Sequence, residues 1–77
     1  LAVTAYVLIG TVSGKETVVL KAVRAVRGVS QANAVTGPYD IVARVEGGDA
    51  ETLGNTIMTK IRSITGVTST LTCMVVG

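Results

Sequence analysis

The segment Val23-Arg24-Ala25-Val26-Arg27-Gly28-Val29 returns 38 positions later as Ile61-Arg62-Ser63-Ile64-Thr65-Gly66-Val67. At the same offset Val3, Ala5 and Val7 correspond to Ile41, Ala43 and Val45. Such regularity in a short chain means two copies of one supersecondary unit, each reading strand, helix, strand. Two β-α-β units with right-handed crossovers close into a four-stranded antiparallel sheet with both helices on one face. This is the ferredoxin-like βαββαβ arrangement of the α+β class, as in dimeric α+β barrels. The 77 residues leave room for one domain, 1–77. A domain of this size buries only about 60% of its unfolded surface and is marginal alone.

Within the first unit, Val3, Ala5, Val7 and Ile9 alternate with Thr4, Tyr6 and Leu8, a strand apolar on both faces. Ser13-Gly14-Lys15-Glu16 fits a capping box, in which the Ser13 hydroxyl and the Glu16 carboxylate satisfy free N–H groups at a helix start. Val19, Ala22, Val23 and Val26 follow at helical spacing, and Gly28 ends the helix. Arg24 and Arg27 read as a solvated face near its C-terminus. In the second strand, Val29 to Val35, Ala32 and Ala34 compete with Val29 and Val35 for the inward face, a conflict that a bulge reconciles.

The second unit begins with Ile41, Ala43 and Val45 facing one way and Asp40, Val42, Arg44 and Glu46 the other. Arg44 and Glu46 are expected as cross-strand ion-pair partners of small net value. Asp49 is the expected N-cap of a helix whose inner face carries Ala50, Leu53, Ile57, Ile61 and Ile64, and Gly66 stops it. In the last strand, Val67 to Val76, alternation puts Val67, Leu71, Cys73 and Val75 on one face and Thr68, Thr70, Thr72, Met74 and Val76 on the other. Cys73 reads as a small buried hydrophobe.

Helices on one side leave the other sheet face bare. Tyr6, Leu8, Val42, Met74 and Val76 are expected on it, an apolar patch too large for a monomer, so a second copy should cover it. Apolar residues make up 48% of the chain, yet no run approaches the ~20 residues that span a bilayer. The first residues lack the basic start and cleavage site of a signal peptide, so no membrane partner and a cytoplasmic location are expected. One Cys and no His exclude an internal disulfide, a Cys/His zinc cluster, a His-centred triad and an axial haem His. No enzyme activity, cofactor or metal is therefore expected. The seven Lys and Arg are scattered, net charge is +2, and Phe and Trp are absent, so direct nucleic-acid binding is not expected either.

Between the second and third strands lies Thr36-Gly37-Pro38-Tyr39-Asp40, a hairpin loop by its Gly-Pro pair. Gly37 supplies a positive φ or lets a backbone approach, and Pro38 fixes its own φ, so Tyr39 and Asp40 project in a defined direction. Two roles are open to Asp40: a local turn cap with Tyr39 packed beside it, or a ligand contact.

Taken with Ala5-Tyr6-Val7-Leu8-Ile9, Val26-Arg27-Gly28-Val29, the hairpin with Ile41-Val42-Ala43, Ile61 to Val67 and Thr70-Leu71-Thr72, the chain resembles a known family. It is similar over nearly its whole length to the effector-binding, ACT-like (RAM) domain of the leucine-responsive and asparagine-responsive transcription regulators, the Lrp/AsnC family. The resemblance implies a homo-oligomer, dimers formed through the sheets and gathered into a ring, with an amino acid or similar small effector held between dimers. It implies effector contacts from Thr36, Gly37, Pro38, Tyr39 and Asp40 and from Thr70 and Thr72. Asp40 would pair with an α-ammonium, while Gly37 and nearby N–H groups take an α-carboxylate. Family regulators usually carry an N-terminal helix-turn-helix, and only a few residues precede the first strand here. A stand-alone effector domain or a fragment is the expectation, with full-length regulators of the same family as partners. The same topology also serves small monooxygenase-type enzymes and purely structural oligomerisation modules.

Overall fold

The computed structural model describes residues 2–77. Its elements are β1 (Val3–Thr11), α1 (Glu16–Arg24), β2 (Val29–Ala34), β3 (Ile41–Gly47), α2 (Ala50–Thr56) continuing as a π-helical turn (Ile57–Ile61), and β4 (Val67–Met74). The strands form one antiparallel sheet in the order β2-β3-β1-β4. This is the ferredoxin-like order expected from the repeat. The core is a single layer between sheet and helices: Ala5, Val7, Ile9, Ala32, Ile41, Ala43 and Val45 meet Val19 and Val23 of α1 and Leu53, Ile57 and Ile61 of the second helix. Burying each of the larger aliphatic side chains is worth about 1.5–3 kcal/mol, and this layer is what holds so small a domain together.

Leu53, Ile57 and Ile61 are all buried although they stand four residues apart. In an α-helix of 3.6 residues per turn each would rotate about 40° from the last. The wider turn, closed by the Arg62 N–H on the Ile57 carbonyl at 3.0 Å, absorbs that drift and keeps them on the sheet. Asp49 caps α2 as expected, accepting from the Thr52 N–H at 2.7 Å. That N–H holds the Asp49 carboxyl below the usual carboxylate range. The Ser13–Glu16 capping box does not form: α1 starts at Glu16 after Lys15, with no side-chain cap bond. The Lys15 N–H instead closes a turn on the Val12 carbonyl at 2.9 Å, which leaves Ser13 outside the first helical turn.

Gly28 and Gly66, equivalent in the repeat, take φ +107° and +103° in the turns that lead into β2 and β4. Neither ends its helix as expected, because α1 stops at Arg24 with Ala25 as C-cap and the π-helical turn at Ile61 with Arg62 as C-cap. Two residues beyond each glycine lies a bulge. In β2 the register slips between Val29 and Gln31, so Val29, Ala32 and Ala34 share the helix-facing side. In β4 Val67 opposes Thr11 and Ser69 opposes Gly10, leaving Thr68 unpaired.

The β4 bulge reverses the expected alternation. Thr70, Thr72 and Met74 oppose Ile9, Val7 and Ala5, which face the helices, whereas Leu71 and Cys73 oppose Leu8 and Tyr6 on the open face. Residues directly across a ladder share a face, and one inserted residue moves a whole strand's pattern to the other side. The apolar patch on the open face is therefore Tyr6, Leu8, Val42, Leu71 and Cys73, without Met74, and Val76 lies beyond the strand. Cys73 is exposed rather than buried. Arg44 and Glu46 pair along β3 rather than across strands, at 2.6 Å and both partly exposed, a contact worth about 0–1 kcal/mol.

Candidate functional site

The hairpin from β2 to β3 is held to β1 as well as to itself. The Val35 N–H donates to the Asp40 carbonyl at 2.9 Å, and the Asp40 N–H to the Ile9 carbonyl at 3.0 Å. Ladder pairing of β1 with β3 ends at Ile9 and Ile41. Beyond it Asp40 Oδ2 accepts from the Thr11 N–H at 2.8 Å and from the Thr11 hydroxyl at 3.1 Å. A side-chain carboxylate thus takes the place that a backbone carbonyl would hold in the next rung. The expected turn cap within the hairpin is replaced by an anchor to β1, and Oδ1 has no partner among the described residues.

Gly37 uses its conformational freedom, φ +152°, and nothing lies within 4 Å of where a Cβ would sit, so of its two expected roles it fills the first. Thr36, Gly37 and Pro38 are exposed at the tip, while Tyr39 and Asp40 are half-buried. The Tyr39 hydroxyl makes no hydrogen bond among the described residues.

Thr70 opposes Ile9 from the other side, so Asp40 and Thr70 flank the end of β1 two strand spacings apart, roughly 10 Å. Thr72 opposes Val7, a further two residues along and away from the hairpin. Thr70 lines a groove of about 320 Å³ with Arg62, Val67, Thr68 and Ser69, and no residue of the hairpin reaches it. Within one chain the hairpin and the β4 threonines share an end of the sheet without closing a pocket. The sequence reading missed Thr11, because a threonine at the end of a strand carries no local mark of the acid 29 positions away. It also gave no role to Arg62, which lines the groove beside Thr70.

Residues 4–77 match the model of the Lrp/AsnC ligand binding domain. The chain belongs to this family. No curated protein matches it. TTHA0845 from Thermus thermophilus is 33% identical with a TM-score of 0.92, and the match covers 97% of this chain and 94% of that one. E. coli AsnC is 25% identical with a TM-score of 0.91 over 97% of this chain, which spans 51% of AsnC. The transcriptional regulator NMB0573 of Neisseria meningitidis, solved as a complex with L-Met, is 18% identical with a TM-score of 0.84, covering 97% of this chain and 50% of that one. At that identity the likeness is one of fold. This Lrp/AsnC domain is thus the regulator family's ligand-binding part. No helix among its described residues is long and apolar enough to cross a membrane.

Proposed function

We propose that this Lrp/AsnC domain senses a small effector, an amino acid or a close analogue, and oligomerises to do so. The observation that carries the reading is the state of Asp40, whose carboxylate is fixed by Thr11 through one oxygen and keeps the other without a partner among the described residues. A rigid, half-buried carboxylate at a strand end is suited to an α-ammonium. Tyr39 beside it offers an unused hydroxyl, Gly37 and its neighbours offer backbone N–H groups for an α-carboxylate, and Thr36 and Pro38 frame the loop. Thr70 and Thr72 would close the site from a neighbouring copy, since within one chain they stand apart from the hairpin. The open sheet face, with Tyr6 and Leu71 nearly half exposed, is the surface through which a dimer forms, and dimers then gather into a ring.

In this reading the domain is no enzyme, uses no cofactor, works in the cytoplasm and reads no DNA itself. Its partners are its own copies and full-length regulators of the family. That NMB0573 was solved with L-Met supports the effector class by analogy of fold. The test is a thermal-shift screen of the standard amino acids, followed by calorimetric titration of the best ligand into wild type and Asp40→Asn. Loss of the charge at nearly constant shape should weaken binding by roughly 2–5 kcal/mol where the pair is desolvated. Unchanged affinity in an intact assembly would return Asp40 to a purely structural role.

A further inference from the structure

At the end of β3 opposite the hairpin, a groove of about 400 Å³ opens between the turn that follows α1 and the flank of the second helix. It is lined by Arg27, Gly28, Glu46, Thr52, Thr56 and Lys60. The backbone brings these residues to one place. Thr52, Thr56 and Lys60 recur every fourth position, which keeps them along one flank of the helix, each just before the buried Leu53, Ile57 and Ile61. Gly28 abuts that flank: a Cβ added to it would stand 3.5 Å from Thr56 Cγ2 and 3.3 Å from the Glu46 carbonyl oxygen.

The polar groups of the groove are unevenly satisfied. The Thr56 hydroxyl donates to the Thr52 carbonyl at 3.1 Å, so it has only lone pairs left to offer. Glu46 is the one acid in the lining, and its carboxylate is held by the Arg44 guanidinium at 2.6 Å. The side chains of Arg27 and Lys60 and the Thr52 hydroxyl have neither a hydrogen bond nor an ion pair among the described residues. The backbone N–H groups of Arg27 and Gly28 have no backbone partner among them either.

We infer that this groove binds the phosphate of a small monoester. Arg27 on the turn and Lys60 on the helix set two positive charges against a dianion, and the guanidinium offers a fork to two phosphate oxygens. A single carboxylate would leave one cation unmatched. The Thr52 hydroxyl supplies a further donor, and successive N–H groups in a turn are the backbone donors that line anion-binding concavities. No aromatic ring lines the groove, so it has no platform on which a base could stack, and its volume suits a small molecule. Asp40 stands at the other end of β3, so the inference holds whether or not the hairpin binds an effector.

The test follows amide proton–nitrogen correlation spectra of the full chain titrated with glycerol 3-phosphate, against sodium chloride at matched ionic strength. Saturable shifts are expected at Arg27, Gly28 and Thr52. Binding should weaken about fivefold in Arg27→Gln and in Lys60→Gln, the size of one exposed ion pair. It should persist in Arg62→Gln and in Asp40→Asn, the latter separating this site from the effector site. A monoester takes up its second proton near pH 6, roughly, and the chain has no His, so binding should also weaken between about pH 7.5 and 5.5. A response no different from chloride, undiminished binding in both Arg27→Gln and Lys60→Gln, or tighter binding of acetate or of adenosine monophosphate than of glycerol 3-phosphate would overturn the assignment.

Discussion

Thr11 gives both its backbone N–H and its hydroxyl to one oxygen of Asp40, at 2.8 and 3.1 Å, across 29 positions of sequence. The two bonds differ in what their loss leaves behind. Asp40→Ala strips the acceptor from a half-buried N–H and should destabilise by about 1–3 kcal/mol. Thr11→Val removes only the hydroxyl donor and should cost about 0.5–1.5 kcal/mol. Asp40→Asn keeps an oxygen for the N–H and should fall nearer to wild type. Urea midpoints of the three variants check the order, and equal losses for Asp40→Ala and Thr11→Val would mean that the backbone bond contributes nothing.

Leu8 and Leu71 face each other on the open side of the sheet, and Leu71 is 48% exposed. Leu71→Arg should leave the core untouched while placing a charge in the surface proposed to meet a second copy. Light scattering should then show a smaller species than wild type, with the circular dichroism spectrum unchanged. An assembly of undiminished mass would move the contact to another surface.

Gly10 has no room for a methyl group because Ser69 Oγ stands 2.6 Å from where it would be. Gly10→Ala should therefore cost roughly 1–3 kcal/mol by overpacking. Ser69→Ala leaves its own Cβ at 3.9 Å and removes the nearer clash. The double variant should recover much of the loss, and a thermodynamic cycle measures the coupling. Additive effects would show that the two residues do not meet.

The Thr52 N–H lowers the Asp49 pKa below its ordinary value in the folded chain. A depressed folded-state pKa gives stabilisation that is complete above the unfolded value, near pH 4, and is lost as pH falls through the folded value. Thermal melts between pH 6 and pH 2 should show this part of the acid sensitivity disappearing in Asp49→Asn. An identical pH profile in the variant would sink the assignment.

The order of elements, the Asp49 cap and the inner helix faces apart from Ala50, which is exposed, were legible because each depends on neighbours in sequence. The face of β4 was not. Thr68, Thr70 and Thr72 alternate cleanly with Ser69, Leu71 and Cys73, so nothing local marks the unpaired Thr68 that reverses their direction. The conflict of Val29 with Ala32 in β2 did betray the equivalent bulge, since there the buried side chains are distinct from the exposed ones. Ser13 and Glu16 had the residue types of a capping box but not the geometry, because the Val12–Lys15 turn comes between strand and helix. The Thr11–Asp40 bond is long-range, and one acid and one hydroxyl do not announce a partnership across 29 positions.

The paired bulges also bear on how this chain avoids polymerising. β2 and β4 are the two edges of the sheet, and each is interrupted near its first residue. A row of unpaired N–H and C=O groups along a flat edge is a template on which identical chains add strand to strand without end. Irregular, twisted edges are poor templates. Edge-to-edge growth into a fibre is thereby disfavoured, and the open face proposed to meet a second copy is a surface on which such a contact would close on itself.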